Sequence, residues 1–259
     1  MKKLSAIVHP RSEYRTLRWW NVAMAILHAA QGVVMLAVSS GFALPLTTAF
    51  VRFNAESQKL EPLLRTIGEL RIGPLVAGFF FLSSLAHLAV SLPHVHAWYI
   101  ANLKKGMNAA RWIEYSFSSS LMIVVIAMLT GMYDAVSLLL IFSLNAMMIL
   151  FGWMMELHNQ TTKLTNWLSF FFGSLAGIVP WVAIAIYLIG AGSVPGFVYG
   201  IFLSLFVFFN IFALNMVLHY KKVGKWRDYL FGERVYIILS LVAKSLLAWQ
   251  VWAGTLRPV

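Results

Sequence analysis

The sequence contains no cysteine. Disulfides, thiolate nucleophiles and cysteine-ligated metal sites are therefore excluded. Charge is scarce as well: 11% of the 259 residues are Asp, Glu, Lys or Arg, against about 25% in a soluble domain. With 60% hydrophobic residues, the chain reads as an integral membrane protein. Acids are the scarcest charges, nine against twenty Lys and Arg, which leaves a formal net charge of +11. In a soluble protein that excess would point to nucleic acid. Here the basic residues gather between apolar runs, so the positive-inside bias accounts for them and no nucleic-acid partner is expected. Internal repeats, low-complexity tracts and any sign of a second domain are also missing, and residues 1–259 are expected to form one domain. Met1-Lys2-Lys3 is weakly signal-like, but the apolar run opens only near Trp19 and contains His28 and Gln31. It is read as a retained first span.

What is present is a set of long hydrophobic runs. A spanning helix needs about 20 mostly apolar residues. Seven segments qualify: 17–41, 70–92, 108–131, 134–157, 165–190, 195–219 and 232–255. The fold class is thus an all-α membrane protein, a seven-transmembrane-helix bundle. Thirteen Lys and Arg flank one side (Lys2, Lys3, Arg11, Arg15, Arg18, Lys104, Lys105, Arg111, Lys163, Lys221, Lys222, Lys225 and Arg227). Five flank the other (Arg52, Lys59, Arg65, Arg71 and Arg257). This asymmetry predicts a cytoplasmic N-terminus and an extracellular C-terminus in a multi-pass cell-membrane protein. The long loop 42–69 then lies outside. Its β-formers, Leu46 to Phe53, followed by polar Asn54-Ala55-Glu56-Ser57, fit a short hairpin and an irregular loop about equally well.

One cation interrupts the last span. Lys244 sits among Tyr236-Ile237-Ile238-Leu239 and Leu246-Leu247-Ala248-Trp249. An ammonium at mid-bilayer costs on the order of 3 kcal/mol even on lenient scales. Such a lysine is paired, neutralised or used covalently. Glu114, in the third span, is its natural partner: at 1.5 Å per residue both lie about 14–18 Å from the cytoplasmic face. The plainer alternative pairs Glu114 with Arg111 at i, i+3. Further polar residues share helix faces at similar depth: Ser83 with His87, Glu114 with Ser118, Ser240 with Lys244, His28 with Gln31, and Asn145 alone. Any one of these is more often glue between helices than function. Five helices contributing at one depth point to an interior polar cavity. Two histidines without convergent ligands do not make a metal site. Tyr115, Trp181, Phe206 and Phe209 are mid-span aromatics that either pack the core or wall a flat apolar ligand.

Seven helices, a buried lysine in the last, a carboxylate in the third and an aromatic interior resemble microbial-type rhodopsins. The specific resemblance, over essentially the whole chain, is to heliorhodopsins. It rests on Arg111-Trp112-Ile113-Glu114-Tyr115-Ser116-Phe117-Ser118-Ser119-Ser120, on Phe208-Phe209-Asn210 with Asn215-Met216-Val217-Leu218, and on Ser240 four residues before Lys244. The inverted orientation agrees. The resemblance implies all-trans retinal on Lys244 as a protonated Schiff base with Glu114 as counterion. It implies that Ser83, Ser118 and Ser240 tune that base. Trp112, Tyr115, Asn145, Met148, Trp181, Phe206 and Phe209 would surround the retinal. His28, His87 and Gln31 would form a proton-accepting cavity on the cytoplasmic side. A homodimer, with the long loop reaching over the partner, is implied too.

Departures from pumping rhodopsins set the expected activity. The position four before the lysine, an acid in proton pumps, is Ser240, and the position eleven after the counterion is Val125. Without a second carboxylate, directional proton delivery has no relay. The expectation is a light sensor with a slow photocycle, no ion transport, no enzymatic activity and an unknown signalling partner. Two readings stay open beside it: a light-gated channel or weak pump, and a retinal-free transporter or receptor using Lys244 and Glu114 as an ion pair. Transporters commonly show repeats and paired broken helices, which are absent here. A membrane enzyme with Lys244 as nucleophile has no metal, phosphate or triad site to support it.

Overall fold

The computed structural model describes residues 10–257. Lys2 and Lys3, counted above for orientation, lie outside the described residues. Among the described residues, seven helices are long and apolar enough to cross a membrane. They are α1 (Arg11–Val38), α2 (Ile72–Ser91), α4 (Ala109–Leu129), α5 (Ala135–His158), α6 (Leu168–Gly190), α7 (Gly196–Tyr220) and α8 (Tyr229–Val251). An eighth, short helix α3 (Pro93–Leu103) follows α2, opened by Pro93 in its first turn, where a missing N–H costs nothing. It was not expected from the sequence. A 3-10 turn, Gly224–Arg227, precedes α8, and a π-helical turn, Trp252–Leu256, extends it.

Helix α1 starts earlier than expected. Its first turns carry Arg11, Glu13, Arg15 and Arg18, which prolong the helix beyond the apolar stretch. Side-chain caps open three others. Asn108 accepts from the Arg111 N–H at 3.1 Å, Asp134 from that of Ser137 at 2.8 Å, and Asp228 from that of Leu230 at 2.9 Å. Each satisfies a donor that the first turn leaves without a helical partner.

Packing runs α1 to α2 to α4 to α5 to α6, and α8 joins α7 to α1. Helix α4 is the central one: 67% of its most apolar stretch is buried, against 17–44% for the other spans. The main core gathers Val76, Phe79 and Phe80 of α2, Met122 to Met128 of α4, Trp181 and Ile184 of α6, Leu205 of α7, and Ala243 and Leu247 of α8. Close approach of α4 and α5 depends on Gly152, because a Cβ there would land on the Trp112 ring.

Residues 43–71 resolve the choice left open for the loop. Strands β1 (Ala43–Asn54) and β2 (Lys59–Arg71) form an antiparallel hairpin, longer than the short one considered, with a register shift between Leu46 and Thr47. Asn54 organises its turn by accepting from the Glu56 and Ser57 N–H groups. The hairpin root is tied to the bundle. Thr47 N–H donates to the Tyr133 carbonyl at 2.9 Å and Ile72 N–H to the Phe42 carbonyl at 3.1 Å. Beyond that root Phe50, Val51, Phe53, Leu60, Leu64 and Ile67 are exposed.

Candidate functional site

Lys244 faces inward from the middle of α8, with 3% of its side chain exposed. Its Nζ donates to Ser240 Oγ, one helical turn back, at 2.8 Å. It lies 3.5 Å from Glu114 Oε1, whose side chain is 7% exposed. Ser83 of α2 donates to the same carboxylate oxygen at 2.6 Å. Three helices therefore converge on one buried ion pair. The Tyr115 ring lies 5.2 Å from Nζ, within cation–π range, and its hydroxyl donates to the Tyr236 carbonyl at 2.8 Å. Ser118, one turn beyond Glu114, is fully buried with its Oγ lacking any protein partner.

The two histidines stand together. The His28 and His87 rings stack with centroids 5.6 Å apart and planes 9° from parallel. His87 Nδ1 meets Asn21 Oδ1 at 2.7 Å, while both His28 ring nitrogens are buried without a protein partner. A cavity of about 40 Å³ adjoins His87 and Glu114, and Asn21, Tyr99, Arg111 and Glu233 also line it. Among the described residues no group of three or more His, Asp or Glu side chains is arranged to hold a metal ion.

The aromatic wall is centred on Trp181 of α6. Phe206 and Phe209 of α7 pack edge-on against it at 5.3 and 5.4 Å, and so does Phe202, at 5.6 Å. Trp181, Phe206 and Phe209 belong to the same core as Ala243, the residue beside Lys244. Met148 of α5 lies against Gly177 of α6, where a Cβ would collide with its sulfur.

Other residues singled out in the sequence make contacts of their own. Arg111 does not pair with Glu114; it pairs with Glu156, 2.6 Å away, and with Glu233. Trp112 joins that cluster, donating from Nε1 to Glu156 Oε2 at 2.6 Å and packing against Tyr236. Asn145 donates to Ser119 and Ser120 at 2.8 and 3.0 Å, which links α5 to α4. Gln31 accepts from Ser245 at 2.8 Å and from Trp249 at 3.4 Å, and its carboxamide makes no hydrogen bond to either histidine. Missed by sequence reasoning were Asn21, Phe202, Glu156 and Glu233. The last two carried a usable signal, being acids at the ends of apolar runs.

The heliorhodopsin family model matches residues 17–256. The chain belongs to the heliorhodopsin family. No individual curated protein is significantly similar to it. Membership makes the chain a light-sensing, multi-pass membrane protein of the microbial rhodopsin class, with retinal the chromophore that class implies. The residues present suit that group: an inward lysine beside a carboxylate, an unpartnered buried hydroxyl at Ser118, and an aromatic enclosure.

Proposed function

We propose that this heliorhodopsin is a photoreceptor that holds all-trans retinal on Lys244 as a protonated Schiff base, with Glu114 as counterion. The observation that carries the reading is the buried pair itself, Nζ to Oε1 at 3.5 Å. When bound, retinal supplies light absorption and isomerisation. The protein's own residues supply the electrostatics. Glu114 balances the cation, and Ser83 and Ser240 hold the two partners in place through their hydrogen bonds. Desolvated opposite charges so close attract strongly, which favours a protonated nitrogen in the dark. Tyr115, Ser118, Met148, Trp181, Phe206 and Phe209 line the chromophore. The His28 and His87 pair is the proton acceptor, supported by its burial, its stacking and the free ring nitrogens of His28.

The protein is neither an ion pump nor an enzyme. Ser240 and Val125 occupy the positions where a proton relay would need carboxylates. Transfer stays inside the interior cavity, and the output is a shift in helix packing read by a partner. The N-terminus faces the cytoplasm. The hairpin's exposed apolar residues favour a homodimer, because a two-stranded hairpin is marginal on its own in water and these side chains need cover.

The test is reconstitution. Purified protein given all-trans retinal turns coloured, and illuminated cell suspensions show no sustained, uncoupler-sensitive pH change. A colourless product would remove the photoreceptor reading, and a steady photocurrent would favour the channel or pump.

A further inference from the structure

A second ionisable cluster lies toward the N-terminal end of α4, and two of its members, Arg111 and Glu233, line the cavity that Glu114 and His87 line. Arg111 of α4 meets Glu156 of α5 and Glu233 of α8, and all three side chains are at most 5% exposed. Trp112 and Tyr236 sandwich the guanidinium, with its carbon 4.4 and 3.9 Å from their ring centroids. Nothing in the photoreceptor reading uses this cluster.

Its charges do not balance. Arginine is always protonated, so it supplies one positive charge against two carboxyl groups. A second, uncompensated negative charge in so dry a place is costly. The donors are also unequally shared. Glu156 accepts from Arg111 Nη2 at 2.6 Å, Trp112 Nε1 at 2.6 Å, the Asn108 N–H at 2.9 Å and the Tyr229 hydroxyl at 3.3 Å. Glu233 accepts from Arg111 Nη1 and from Asn108 Nδ2, the latter at 2.6 Å, and shares the Tyr229 hydroxyl with Glu156. Glu156 is therefore furnished as the carboxylate of the pair.

We propose that Glu233 is a proton-binding site, a carboxylic acid kept protonated beside the Arg111 and Glu156 ion pair. The other groups facing it are His219 of α7 and Tyr229 and Tyr236 of α8, and, across the cavity they share, Tyr99 of α3, His87 of α2 and Glu114 of α4. Burial pushes the Tyr99 phenol well above its ordinary value, so it remains neutral. His219 is the one rival holder. Its ring packs edge-on between Tyr220 and Tyr229, and its buried Nδ1 has no hydrogen-bond partner, which suits a neutral imidazole with an unprotonated nitrogen there. The 40 Å³ cavity exceeds the roughly 10–15 Å³ that one water needs, so a bridging water fits between Glu233 and the chamber at Glu114. The proposal does not depend on retinal or on Lys244.

Infrared spectroscopy of the full-length protein in lipid, with carbon-13 at the glutamate side-chain carboxyls, tests it. At neutral pH the wild type shows a protonated carboxylic C=O band that moves with the label, with or without retinal. The band disappears in Glu233→Gln. It disappears in Glu156→Gln too, because Arg111 then pairs with Glu233 alone. It persists in Glu114→Gln, which excludes the counterion as its source, and in His219→Phe. Absence of a label-sensitive band from wild type would overturn the proposal. So would its survival in Glu233→Gln, or its appearance only in His219→Phe, which would assign the proton to the imidazole. The wild-type arm needs no variant to fold, and colour, scored separately, reports on the photoreceptor reading alone.

Discussion

Replacing Glu114 by Gln keeps the shape of the side chain and removes its charge 3.5 Å from Lys244 Nζ. Coulomb's law at an effective dielectric of about 20 gives roughly 5 kcal/mol for unit charges at that distance. The amide dipole and the Ser240 contact retain part of this, so about half is lost. At about 1.4 kcal/mol per factor of ten, the ratio of protonated to unprotonated chromophore at fixed pH falls about 10²-fold. The assay is visible absorption of retinal-loaded protein across a pH series, reading the visible band against the near-ultraviolet one. Glu61→Gln, in the exposed hairpin, should leave the ratio unchanged. A change under about threefold in Glu114→Gln would mean that the carboxylate does not stabilise the cation, and the counterion assignment would fail.

Three other outcomes follow from the packing and the caps. Gly152→Val drives a side chain into the Trp112 ring and should cost about 1–3 kcal/mol, seen as a lower thermal midpoint in detergent. Asp134→Ala removes the α5 cap, worth about 1 kcal/mol. Its hydrogen bonds from Ser137 Oγ and N–H hold the Asp134 carboxyl below the usual carboxylate range. That stabilisation is fully present above the unfolded-state value and is lost as pH falls through the lowered folded value. The wild-type advantage should therefore shrink only in strong acid, and an advantage unchanged down to that pH would refute the cap. Val51→Asp places a charge among the hairpin's exposed apolar residues, and light scattering in detergent should show a dimer shifted toward monomer.

The seven spans were legible because each is a continuous apolar run longer than a bilayer requires. Helix α3 was not: Pro93 to Leu103 is too short to span and mixes His94, His96 and Asn102 with its apolar residues, so it read as loop. The Lys244 and Glu114 pair was legible because charges are rare in such runs and their depths agree. Local spacing offered Arg111 only Glu114, three residues away, as the plainer alternative. Its partners Glu156 and Glu233 lie 45 and 122 residues along the chain, and only the packing of α4 against α5 and α8 brings them together. Shared depth did not name the partners of Asn145, which are Ser119 and Ser120, or that of Gln31, which is Ser245. Depth can be counted along a sequence, whereas rotation depends on the neighbours.

The most direct measurement is the location of the covalent bond. Retinal-loaded protein reduced with borohydride and digested should carry the retinyl mass on the peptide containing Lys244 and on no other lysine, and Lys244→Ala should stay colourless and unlabelled. A retinyl group on another lysine, or colour retained in Lys244→Ala, would contradict the account.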